Sequence, residues 1–113
     1  MAEAGSQSGS ADITIEANGK YTATKTLQAN PGDTIVWHVQ NNMASEVVTV
    51  EVGRFKKGSS VTHPVERNPS VTLAPGQSGD MSTVVRQSAA SGKHKYKISV
   101  NGDVATDPEL EIP

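Results

Sequence analysis

Three histidines, His38, His63 and His94, and three methionines are the only soft nitrogen and sulfur donors in this chain of 113 residues. Imidazole suits copper and zinc. With no cysteine in the sequence, disulfides, thiolate ligands and a thiol nucleophile are all excluded. The histidines are far apart, without the close spacing of a prebuilt zinc or copper site. His94 alternates with Tyr96 on an inward strand face, so it is expected to be a core histidine satisfied by hydrogen bonding rather than a ligand. His38 falls mid-strand opposite Trp37 and is expected to be packed or at an edge, and His63, just before Pro64, is expected to be exposed. Met43 reads as a gap filler before it reads as a ligand.

Catalytic patterns are missing. Serines are plentiful, but there is no G-x-S-x-G elbow and no strand-borne nucleophile with a neighbouring base. Residues 53–58 lack the order of a phosphate-binding or dinucleotide loop. Arg54, Lys56, Lys57 and Arg67 read as a solvated loop before they read as an anion site. The chain is expected not to be an enzyme, and no cofactor is implied.

Composition narrows the classes further. A formal net charge of -2 argues against a nucleic-acid binder, which needs a concentrated basic face. No apolar run approaches the roughly 18 residues of a membrane span, so no membrane insertion is expected. No signal-peptide core is read in the sequence either. A hydrophobic content of 35% suits a thin sheet protein whose strands each give alternate residues to a core.

The elements that must position these residues are strands. Residues 1–10 are small, polar and rich in Gly and Ser, and are expected to be a disordered leader or an expression remnant, with one domain spanning 11–113. Alternation gives strands over 11–17 and 21–27. Between them Asn18-Gly19 is the strongest short hairpin signal, a type I′ turn needing positive φ at both central residues. Asn30-Pro-Gly-Asp33 and Ala74-Pro-Gly-Gln77 both have type II turn chemistry. They lead into strands over 34–40, apolar enough to be central, and over 79–86. Further strands are expected over 46–52 and 70–73, with 53–68 irregular. In the final stretch Lys93, Lys95 and Lys97 alternate with His94, Tyr96 and Ile98, while Glu109 and Glu111 alternate with Leu110 and Ile112. A lysine face can thus lie beside a glutamate face. About eight strands and no amphipathic helix predict an all-β, two-sheet Greek-key β-sandwich.

Several stretches resemble a known family. Residues 27–42, with Pro31-Gly32-Asp33-Thr34-Ile35-Val36-Trp37 and the pair Asn41-Asn42, are similar to the Pro-Gly-Asp turn, central strand and Asn-rich corner of cupredoxins. Residues 71–78 resemble their later Pro-Gly strand entry. Gly92-x-His94-x-Tyr96-x-Ile98 resembles the family's ligand-bearing strand, and residues 109–112 its closing strand. The resemblance implies the cupredoxin-like sandwich. It also identifies where the family's copper ligands would fall, two histidines, a cysteine and an axial methionine. The cysteine position carries Ile98, the downstream histidine falls near Asn101, the methionine near Thr106, and the upstream histidine meets Ser45 or Glu46. All four ligands are replaced, and Ile98 is expected to be buried.

Three readings follow. The first is a metal-free cupredoxin-like module with a structural or partner-binding role toward another protein or a neighbouring domain. Its candidate contact residues are Asn41, Asn42, Met43 and Glu46 in the corner and Asn101, Asp103 and Asp107 in the last loop, since recognition concentrates on loops held by a rigid sheet. The second is a degenerate copper or zinc carrier using histidines. The third is an immunoglobulin-like adhesion or carbohydrate-binding domain, which a single Trp37 in a core strand equips poorly. The family resemblance alone favours a periplasmic or extracellular setting.

Overall fold

The computed structural model describes residues 9–104 and 108–113. In chain order the strands are β1 (Gly9–Ile15), β2 (Tyr21–Ala23), β3 (Thr26–Gln28), β4 (Thr34–Asn41), β5 (Val48–Lys57) and β6 (Ser60–Val61). They continue as β7 (Ser70–Leu73), β8 (Ser78–Val84), β9 (Gly92–Val100), β10 (Asp103–Val104) and β11 (Glu109–Ile112). Among the described residues no helix is long and apolar enough to cross a membrane.

The strands form two sheets, one of order β2-β1-β4-β8 and one of order β3-β11-β9-β5-β6, with β10 on β9 and β7 on β5. Alternation places Ile13, Ile15, Ile35, Trp37 and Val39 from the first sheet against Val50, Val52, Tyr96, Ile98 and Leu110 from the second, all buried. Trp37 meets Tyr96 edge to face with ring centroids 6.0 Å apart, which joins the two layers at their centre. The expected lysine and glutamate faces do lie side by side: Glu109 is in register with Lys95, and Glu111 with Lys93.

Both Pro-Gly turns form as expected, with Gly32 at φ 89° and Gly76 at φ 77°. Each closes reciprocally. Asp33 N donates to Asn30 O while Asn30 N donates to Asp33 Oδ2, and Gln77 N donates to Ala74 O while Ala74 N donates to Gln77 Oε1.

Several expectations are corrected. Gly9 and Ser10 belong to β1 rather than to a leader, because they extend its parallel pairing to Ile35 and Val36. The run 21–27 is two strands in different sheets. Thr24 ends the first by exchanging hydrogen bonds with both backbone groups of Asp12, and Lys25 O then accepts Glu109 N to start the second. The Asn18-Gly19 hairpin exists, but only Gly19 has positive φ, and Glu16 N donates to Lys20 O while Gly19 N donates to Glu16 O. That is a three-residue loop with glycine at its left-handed position, not a type I′ turn. The type I′ geometry occurs instead at Asn101 (φ 51°) and Gly102 (φ 89°), which join β9 to β10.

Residues 53–57, expected to be irregular, continue β5 through a bulge. The register on β9 shifts between Gly53 and Lys56, with Arg54 at φ 57°. The extra residue inverts the alternation, so that Phe55 rather than its even-numbered neighbours turns inward. Its ring lies 5.2 Å from that of Tyr96.

Candidate partner-binding groove

The corner after β4 and the turn after β9 meet at one end of the sandwich. Asn41 closes the corner from inside. It is fully buried, and its Nδ2 donates to the carbonyls of Glu46, Leu73 and Ala74 at 2.9, 3.2 and 3.1 Å. Its Oδ1 accepts Met43 N at 3.0 Å. A buried amide shared among chain carbonyls sets the path of the corner. Asn41 is therefore not a surface contact residue, which corrects the expectation from the sequence.

Asn101 ties the opposite side to the same strand. Its backbone N donates to Thr49 O at 2.8 Å, its Oδ1 accepts Thr49 N at 2.8 Å, and its Nδ2 donates to Val47 O at 3.3 Å. The left-handed backbone that asparagine tolerates makes this clip possible.

Between these two features lies a groove of about 500 Å3 lined by Met43, Glu46, Asn101 and Asp103 together with Tyr21, Val48 and Val100. Lys20 and Gly19 complete it. Four of the expected contact residues thus share one surface. Asn42 is exposed but lies outside the lining, and Asp107 falls outside the described residues. Tyr21 and Lys20 were not foreseen. Their signal was the hairpin at Asn18-Gly19, which returns the chain so that Tyr21 pairs with Ile15 beside the corner. Val47, adjacent to the lining, is 56% exposed, unusual for a large apolar side chain.

The positions aligned with copper ligands can be placed too. Ile98 is fully buried, as expected, and its carbonyl accepts the hydroxyl of Tyr21 at 3.1 Å. Asn101 spends its side chain on β5, Ser45 and Glu46 are exposed, and Thr106 is outside the described residues.

The histidines are held apart from this end. His94 is buried; its Nε2–H donates to Ala90 O at 2.8 Å and its Nδ1 accepts the Thr62 hydroxyl at 2.9 Å. A carbonyl can only accept, which fixes the Nε2–H tautomer and occupies both ring nitrogens. The core-histidine reading is correct. His63 is exposed, and His38 is exposed beside Asp80 rather than packed.

No protein-family model matches the sequence, and no curated protein does. Among solved structures the chain is similar to dithionite-reduced auracyanin from the photosynthetic bacterium Roseiflexus castenholzii. The TM-score is 0.54 at 12% identity, over 90% of this chain and 94% of that one. The fold is cupredoxin-like. The cupredoxin-like sandwich here lacks the copper ligands: cysteine is absent from the sequence, and no group of three or more His, Cys, Asp or Glu among the described residues is arranged to hold a metal ion.

Proposed function

We propose that this chain is a metal-free cupredoxin-like module, without catalytic activity of its own, that binds another protein or a neighbouring domain through the groove between residues 43–46 and 101–103. One observation carries the reading. The end of the sandwich where the resemblance places copper has an apolar lining of Tyr21, Met43, Val48 and Val100 instead, with Val47 exposed next to it. Val48 and Val100 form the buried floor, Tyr21 and Met43 are half-buried at the walls and Val47 is exposed at the rim, and an apolar concave surface with an exposed rim favours protein contact. Glu46 and Asp103 outnumber Lys20 in the charged lining, so the surface that fits is an apolar side chain accompanied by a basic one. A periplasmic or extracellular setting agrees with the family resemblance.

The test compares partner capture by the parent chain and by a Met43→Glu/Val47→Asp double variant whose circular dichroism is unchanged. The captured partner is then purified and titrated against both. Affinity lost in the double variant supports the groove. Equal affinity, with binding instead abolished by changes on the opposite end, sinks it.

A further inference from the structure

On the outer face of the β2-β1-β4-β8 sheet, three residues stand side by side across adjacent strands. Asp12 of β1 is in register with His38 of β4, and His38 with Asp80 of β8. The next rung carries Thr14, Gln40 and Ser78. These six polar side chains line one shallow depression of about 450 Å3.

His38 Nδ1 lies 2.9 Å from Asp80 Oδ1. An ionised carboxylate only accepts, so Nδ1 carries the proton and the neutral ring keeps its lone pair on Nε2. A carboxylate holding the far nitrogen is how histidines are oriented and made more basic at metal centres. The side chains of His38 and Asp80 are 52% and 61% exposed, so Nε2 is open to an ion from solvent. Asp12 adds a second carboxylate on the other flank, on a strand whose pairing fixes its position relative to His38.

We propose that His38, oriented by Asp80 and joined by Asp12, is a surface site for one borderline divalent transition-metal ion. Cu(II) binds it tightest, as the ordering of the first-row ions dictates for nitrogen and oxygen donors. With His38 and Asp12 as protein ligands and Asp80 as the positioning residue, water completes the coordination shell. No three His, Cys, Asp or Glu among the described residues form a metal-holding group, so the ion has two protein ligands and no more, and the end of the sandwich that lacks the copper ligands stays metal-free as in the function proposed above. The site lies mid-strand on a flat sheet face, apart from the end that carries Ile98 and Asn101.

Trp37, the single tryptophan, precedes His38 on the same strand and reports on it. Titrating Cu(II) into the full chain should quench its fluorescence saturably with one-to-one stoichiometry. His38→Ala should abolish the saturable phase, Asp80→Asn and Asp12→Asn should each weaken it about tenfold, and His63→Ala should leave it unchanged. All four positions are exposed, and unchanged circular dichroism confirms that the variants fold. Parent-like binding by His38→Ala, parent-like binding by both aspartate variants, or loss of binding in His63→Ala overturns the proposal. A second readout needs no metal: imidazole nitrogen shifts should report Nδ1–H for His38, and Nε2–H there overturns the orienting role of Asp80.

Discussion

The indole of Trp37 in one sheet donates its Nε1–H to the hydroxyl of Tyr96 in the other, 3.3 Å away, and both side chains are buried. This polar contact links the two sheets among largely apolar neighbours. Tyr96→Phe keeps the ring packing on Trp37 and Phe55 but leaves a buried N–H without its acceptor. The expected loss is about 1–3 kcal/mol of unfolding free energy, read as a lower urea midpoint at unchanged slope.

Burial also raises the pKa of Tyr96 above its ordinary value of 10.0, although the bond from Trp37 partly opposes the rise. The unfolded chain therefore releases this proton at lower pH than the folded chain does. Stability from this group is complete below the ordinary tyrosine value and is lost as pH climbs through and beyond it. Urea midpoints taken from neutral to strongly alkaline pH should fall in that upper window for the parent, and the fall should be shallower for Tyr96→Phe.

Asn41 is expected to be a stability position and not a contact position. Asn41→Ala removes the donor shared by the carbonyls of Glu46, Leu73 and Ala74 and should cost about 3 kcal/mol. Asn41→Asp should cost more, because a carboxylate oxygen would then face carbonyl oxygens in a buried site. Chemical denaturation of the two variants checks the order; equal stability of Asn41→Asp and the parent would refute it.

The bulge at Arg54 makes a backbone prediction. With φ at 57°, a β-branched residue there is strained, and Arg54→Val should destabilise by about 1–2 kcal/mol. Arg54→Gly should be neutral or slightly stabilising, since glycine adopts that conformation without steric cost. The thermal midpoints of the two variants should therefore move apart.

Much of this architecture was legible in the residues, because period-two alternation survives wherever a strand is regular. His94, Tyr96 and Ile98 turned inward as their spacing required, and Lys93 and Lys95 came into register with the glutamates of the closing strand. Alternation failed at Arg54, where one extra residue reverses the faces and hides Phe55 from any simple count. It failed again at residues 21–27, where a smooth pattern crosses from one sheet to the other and only long-range partners, Asp12 and Glu109, mark the crossing. The chain also contains Asn-Gly twice, with two outcomes. Asn101 is drawn into the left-handed region by Thr49 and Val47, which lie distant in sequence, whereas Asn18 accepts a local bond from Lys20 N. The groove was half visible: its loops could be located, and the Asn18-Gly19 hairpin signalled that Tyr21 pairs with Ile15, but only the sheet arrangement brings that hairpin beside the corner and the turn after β9.

The connection after β6 has a consequence for solubility. Residues 64–67 run along the free margin of β8, where Val65 bridges Val85, Glu66 N donates to Val84 O, Arg86 N to Pro64 O and Arg67 N to Thr83 Oγ1. That segment acts as a selvedge, occupying amide groups that would otherwise template the addition of a foreign strand. A protease cut or deletion that loosens it would bare that margin, which contributes nothing to the groove lining, to pairing with a strand of another molecule.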